Sequence, residues 1–210
     1  MNGRRPYVIG IAGGTCSGKS HLAKSLEQKF PTLRLVVIHC DSYYHDLSGV
    51  EPAQRDKRNF DAPEAIDHHL LRRQVETLAA GKDIDQPVYD FVTHTRAPHV
   101  VRVEAGDVII IEGLFALYWE ELRRLMQMKV FVWLPEETGL ARRLERDVLE
   151  RGRTRKSVVK QYLQTVKPMG DKYILPTRAF ADLVVDGTDP IEQSTLIIFD
   201  HIVSRWKTLD

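Results

Sequence analysis

Gly13-Gly14-Thr15-Cys16-Ser17-Gly18-Lys19-Ser20 follows the spacing G-x-x-x-x-G-K-S of a phosphate-binding loop. Before it, Tyr7 to Ala12 is a short apolar run with β-branched Val8, Ile9 and Ile11, which predicts a buried strand. After it, Leu22, Ala23, Leu26 and Phe30 recur at helical spacing until Pro31 interrupts the pattern. A loop between strand and helix has a physical use. Its glycines let successive N–H groups point into one hollow, and the helix N-terminus adds partial positive charge. At this spacing Lys19 would reach β- and γ-phosphates, and the Ser20 hydroxyl would sit on Mg²⁺.

Working outward, apolar strands alternate with helices. Leu33 to Cys40, Val108 to Glu112, Lys129 to Leu134 and Leu183 to Val185 read as strands. Ala65 to Ala80, a stretch opened by Pro135 with Leu140, Leu144 and Val148 aligned, Arg155 to Val166 and Ile191 to Trp206 read as helices. Asp41 to Phe60 is polar and irregular. Residues 84–104 break the alternation as two short strands around Arg96-Ala97-Pro98, a hairpin insertion. The expected fold is α/β: a P-loop NTPase-type parallel sheet with helices on both faces and a small β-hairpin insertion. The 210 residues suit one domain, 1–210, with the hairpin at 84–104 and a lid region at 142–168.

Composition narrows the class. A formal net charge of +1 argues against a protein held to nucleic acid by bulk charge. The two cysteines, Cys16 and Cys40, give neither a disulfide framework nor a zinc spacing, and a cytoplasmic, reducing location fits them. The polar stretch Met1 to Pro6 carries no signal region, and no apolar run reaches membrane-spanning length.

In parallel α/β sheets, ligands bind beyond the carboxyl ends of the strands. Asp41, after the second strand, is placed to accept a proton from an attacking hydroxyl, or to act as a turn residue. Glu112, ending an apolar strand, is placed to hold Mg²⁺ directly or through water. Between Arg142 and Lys156, Arg142, Arg143, Arg146, Arg151, Arg153 and Arg155 form either a solvated helix face or a lid closing on phosphates, with Gly152 as its hinge. In Pro87 to Arg96, strand alternation puts Tyr89, Phe91 and Thr93 on one face and Asp90, Val92 and His94 on the other, unless a bulge intervenes. Such an aromatic hairpin suits either packing or a planar acceptor.

These residues resemble the uridine/cytidine kinases, within the group that includes phosphoribulokinase and pantothenate kinase. The resemblance takes in Cys40-Asp41-Ser42-Tyr43-Tyr44, Asn59-Phe60-Asp61, Pro87-Val88-Tyr89-Asp90-Phe91 with His94 and Arg96, Glu112-Gly113, Glu150-Arg151-Gly152-Arg153, Gln161-Tyr162 and Val166-Lys167-Pro168. It implies transfer of phosphate from ATP or GTP, with Mg²⁺, to the ribose 5′-hydroxyl of uridine or cytidine. It implies nucleotide binding by Gly13 to Ser20 and the adjoining His21, with Arg146 and Arg151 on the phosphates and Asp189 toward the donor base. Asp41 would be the catalytic base, beside Lys19. Asp61, which could otherwise cap the helix at Ala65, would bind the ribose hydroxyls with Arg143. Tyr89 and His94 would read the pyrimidine, Tyr44, Phe60 and Phe91 would wall its pocket, and Arg153 and Gln161 would add substrate contacts. Ser20 and Glu112 would form the Mg²⁺ side. The resemblance also implies a homo-oligomer, a tetramer, with no nucleic-acid or membrane partner. The pattern departs at Trp133 and at Asp186-Gly187-Thr188-Asp189. The nearest alternatives are a kinase acting on ribulose 5-phosphate or pantothenate, and a nucleotide-binding module without catalysis. A GTPase would need an Asn-Lys-x-Asp motif, which the chain lacks.

Overall fold

The computed structural model describes residues 5–30, 32–55 and 57–207. Pro31 and the start of the polar stretch, Met1 to Arg4, lie outside the described residues. The strands are β1 (Tyr7–Gly13), β2 (Leu35–His39), β3 (Ile84–Asp90), β4 (Thr95–Val103), β5 (Val108–Glu112), β6 (Met128–Trp133) and β7 (Leu183–Asp186). The helices are α1 (Lys19–Lys29), α2 (Pro52–Arg55), α3 (His68–Ala79), α4 (Glu120–Arg123), α5 (Glu136–Leu149), α6 (Arg155–Gln161), α7 (Lys167–Met169) and α8 (Ile191–Lys207).

Five strands form one parallel sheet in the order β2-β5-β1-β6-β7. Side chains alternate across it, so each central strand supplies two cores. Val8, Ala12, Ile38, Ile109 and Ile111 face α3 and the hairpin. Ile9, Ile11, Ile110 and Val130 face Leu22 and Leu26 of α1 and Ile198 and Ile202 of α8. The strands' carboxyl ends therefore stop together, with Ile11, His39 and Glu112 in one register row.

Three expectations need correction. First, helix α3 starts at His68, where the Asp67 carboxylate accepts the Leu70 N–H at 3.0 Å. That satisfies one free N–H of the first turn, so Asp61 is not the cap. Second, the hairpin turns at 91–94, not around Arg96-Ala97-Pro98. Asp90 accepts from the N–H groups of Val92 and Thr93 and from the Thr93 hydroxyl. Such a self-bonded aspartate favours a turn over a continued strand. The register shifts between Pro87↔Val100 and Tyr89↔Arg96, so Ala97-Pro98-His99 forms a bulge on β4. Pro98, lacking an N–H, fits a bulge. The simple alternation from Tyr89 to His94 therefore fails. Third, the buried line of α5 is Gly139, Arg143 and Asp147, while Leu140, Leu144 and Val148 are only half-buried.

Candidate active site

The loop after β1 bends through residues suited to it. Gly13 lies so close to β6 that an added Cβ would meet the Val132 carbonyl oxygen at 2.4 Å. Gly18, with φ at 99°, caps α1 in the left-handed region that favours glycine. Cys16 also lies there, at φ 55°. Lys19 is buried at the first position of α1, and its Nζ donates to the Gly14 carbonyl at 2.7 Å, curled over the hollow. Burial pushes the Lys19 ammonium down from its ordinary value, against the opposing pull of Glu112 and Asp41.

Glu112, at the end of β5, faces this lysine. Its Oε1 accepts from the Ser20 hydroxyl at 3.0 Å and lies 2.6 Å from His39 Nδ1. Burial pushes the Glu112 carboxyl up, but the His39 hydrogen bond and the Lys19 charge outweigh it and hold it below the ordinary value. His39 is raised in return, chiefly by its bond to Glu112. Sequence reasoning missed His39. Its signal lies in the β2–β5 pairing, which sets it directly opposite Glu112. Ser20 and Glu112 thus offer two converging oxygens, one of them anionic, beside a phosphate-binding hollow. That donor set fits Mg²⁺, which takes one or two protein oxygens and fills its other positions from phosphate and water. Among the described residues no three His, Cys, Asp or Glu side chains gather as a metal cluster.

Asp41 sits in the 3₁₀ turn Cys40–Tyr43 that directly follows β2. Its residue is exposed to the open cleft, yet protein surrounds the carboxyl on the remaining sides. The resulting loss of bulk water and the Glu112 charge push it up, while Lys19, His39 and Arg151 oppose the shift.

The arginines of α5 and the following turn gather on one carboxylate. Asp147 is fully buried, and Arg146 donates to its Oδ1 from Nε at 2.9 Å and from a terminal nitrogen at 2.8 Å. Arg143, Arg151 and Arg153 lie 3.6, 3.5 and 3.4 Å from the same carboxylate. Arg143 also donates to Thr15 Oγ1 and to Gln161 Oε1, each at 3.0 Å. Gln161 accepts from Arg153 as well, at 2.5 Å. The arrangement is an arginine cluster organised on a buried acid and directed at the loop. Arg146 and Arg151 are near enough to act electrostatically on Lys19 and Asp41 respectively. The sequence pointed to the arginines and not to Asp147 as their centre.

Beyond Asp41 the cleft opens into an aromatic cup. Tyr44 donates to the Phe60 carbonyl at 3.2 Å, and its ring lies 5.2 Å from Tyr89 and 6.4 Å from Phe91. His94 stacks on Phe60 with centroids 4.4 Å apart and planes 18° apart. Arg96 fastens the hairpin to this wall by donating to the carbonyls of Tyr44 and Tyr43 and to Asp67. The buried Tyr89 hydroxyl has no hydrogen-bond partner among the described residues, and burial pushes it up to about 12. Asp61 lies beside the cup. Its Oδ2 accepts from the Thr165 hydroxyl at 3.1 Å, and Arg143 acts on it electrostatically.

On the other side of the loop is a cavity of about 430 Å³. Leu22, Val132, Val185 and Ile191 give it apolar walls; Cys16, His21, Arg142 and Asp189 also line it. Arg142 helps close it by donating to the Gly187 carbonyl at 3.0 Å. The residues singled out from sequence thus fall into three adjoining places: the loop with its carboxylates and arginines, the aromatic cup with Asp61, and this cavity with His21 and Asp189.

Comparison with known proteins agrees with this geometry. The profile of the phosphoribulokinase/uridine kinase family matches residues 8–191. A uridine kinase from Geobacillus kaustophilus is 40% identical over 207 residues, 99% of this chain and 96% of that protein. A uridine kinase from Clostridium novyi is 42% identical over 205 residues, covering 98% and 97% of the two chains. Among solved structures, phosphoribulokinase from Rhodobacter spheroides superposes with a TM-score of 0.64 at 18% identity, covering 89% of this chain and 74% of that one. At that identity the likeness concerns the fold alone.

Proposed function

Because the chain belongs to the phosphoribulokinase/uridine kinase family, we propose that it transfers the γ-phosphate of ATP to the ribose 5′-hydroxyl of uridine, and of cytidine. One observation carries this reading. Asp41 and Glu112 end neighbouring segments of the sheet beside Lys19, and the cleft between them opens into an aromatic cup with its own carboxylate, Asp61. A nucleotide-holding site needs only the loop; a transfer site also needs a base and a seat for the acceptor.

The steps follow from the side chains. The loop amides and Lys19 hold the donor phosphates, and the 430 Å³ cavity with His21 and Asp189 takes the donor nucleoside. Asp41 accepts the proton of the 5′-hydroxyl as that oxygen attacks in line. Arg146 and Arg151 turn from Asp147 toward the phosphates and balance the charge that develops in the transition state. Asp61 accepts hydrogen bonds from the ribose hydroxyls, with Arg143 beside it. His94 and Tyr89 meet the pyrimidine edge. Either imidazole nitrogen can donate or accept, so one site tolerates the carbonyl of uridine and the amine of cytidine. Ser20 and Glu112 would hold Mg²⁺, which would supply positive charge to offset that of the donor phosphates.

The test is ADP release with uridine, cytidine, ribulose 5-phosphate and pantothenate, using ATP and then GTP as donor. Turnover with the two nucleosides is expected. Turnover confined to ribulose 5-phosphate or pantothenate would reassign the acceptor, and silence with all four would leave a non-catalytic nucleotide-binding module. A homo-oligomer, the assembly implied by the family resemblance, belongs to the same reading. Sedimentation velocity on the whole chain checks it, with a monomer as the outcome against it.

A further inference from the structure

Asp61 is held in two ways. Its backbone N–H donates to Asn59 Oδ1 at 3.0 Å, which fixes the turn. Its side chain accepts a hydrogen bond from the hydroxyl of Thr165, which lies 3.1 Å from Oδ2. Thr165 comes from a distant part of the chain. It sits in Tyr162–Val166, where the helix widens and Lys167 N–H donates to the Tyr162 carbonyl five residues back. Wide turns of this kind inside helices are found often at functional sites. Here the wide turn coincides with the Thr165–Asp61 bond.

The single proton of the Thr165 hydroxyl is shared with a second acceptor, the Gln161 carbonyl, also at 3.1 Å. The residue is thereby tied to the turn whose side chain accepts from Arg143 and Arg153. An ionised carboxylate has about four lone-pair sites. With one taken by Thr165 on Oδ2, Oδ1 and the remaining site on Oδ2 can receive two hydroxyls.

We propose that Thr165 is a positioning residue for the acceptor: its hydroxyl orients the Asp61 carboxylate so that it receives both ribose hydroxyls. This rests on the reading of Asp61 as the ribose-binding group. Loss of the hydrogen bond that orients this carboxylate is expected to weaken acceptor binding about 10- to 100-fold.

The experiment compares Thr165→Val, Thr165→Ser, Asp61→Asn and the double variant Thr165→Val/Asp61→Asn. Uridine affinity is measured by calorimetry without donor, alongside steady-state KM and kcat. Thr165→Val is expected to weaken uridine 10- to 100-fold with little change in kcat or in the donor KM, and Thr165→Ser to restore most of the affinity. The double variant is expected to bind uridine no worse than Asp61→Asn alone, because Thr165 acts through that carboxylate. Full additivity of the two losses would overturn the proposal. So would a Thr165→Ser variant as weak as Thr165→Val, which would mark a packing role. If Asp61→Asn binds uridine normally, the ribose assignment itself falls, a result distinct from an Asp61 loss that Thr165→Val does not share.

Discussion

Asp41, the proposed base, lies in an environment that tunes it. Restricted solvation and the Glu112 charge raise its carboxyl above its ordinary value of 3.8. A base works ionised, so activity falls as pH drops through its folded-state value. The acid limb of kcat/KM is therefore expected above pH 3.8. In Asp41→Asn, turnover is expected to drop about 10²- to 10⁴-fold while nucleoside affinity stays near normal, and any residual rate should lack that limb. Near-normal turnover in this variant would remove Asp41 as the base. His94 makes a different statement. Stacked on Phe60, it offers a polar edge to the cup. His94→Ala removes a ring worth on the order of 1 kcal/mol in stacking, together with any hydrogen bond to the base. The acceptor KM should rise about tenfold with the donor KM unchanged; an unaltered acceptor KM would take His94 out of the pocket.

At the scale of elements, the arginine cluster depends on one buried acid. Asp147 gathers Arg143, Arg146, Arg151 and Arg153 on α5 and the turn beyond it. Removing one partner of a buried pair costs about 3–5 kcal/mol, because the remaining charge is stranded. Arg151 is more than half exposed, which puts the effect toward the lower end. Asp147→Asn is thus expected to lower Tm by on the order of 10 °C and to reduce kcat, read by calorimetry and steady-state kinetics. A stable, fully active variant would show that the cluster assembles without it. This hub also marks a limit of sequence reading. Leu140, Leu144 and Val148 repeat at helical spacing, so they looked like the buried stripe. The chain buries Gly139, Arg143 and Asp147 instead, because that face meets the loop. The hairpin shows the same limit: Arg96-Ala97-Pro98 carries turn-like residues, but the Asp90 carboxylate closes the turn at 91–94 instead. By contrast the loop, α1 and the central strands were legible, since each is written in a local pattern of glycines or apolar residues. His39 and Thr165 were not, because their partners Glu112 and Asp61 are distant in sequence and meet only through strand register or a widened helix.

Across the whole molecule, the phosphate loop separates the two proposed ligand seats. The aromatic cup lies beyond β2 and the hairpin, and the 430 Å³ cavity lies toward β6, β7 and α8. Each should then be open to damage without harm to the other. Gly187 offers the cleanest place to separate them. A Cβ there would meet the Ser17 carbonyl oxygen at 2.5 Å and the Trp133 carbonyl oxygen at 3.1 Å, both of them backbone. The Gly187 N–H also donates to Trp133 at 2.7 Å, so the segment cannot retreat without losing that bond. Gly187→Ala must push the loop and the end of β7 apart, at a cost on the order of 1–3 kcal/mol. Much of that should fall on the donor seat, because Gly187 lines it. The donor KM is expected to rise about tenfold, while calorimetric uridine affinity measured without donor stays unchanged. An equal loss of both affinities would mean that the two seats deform as one body. A loss confined to uridine would reverse the assignment of the seats.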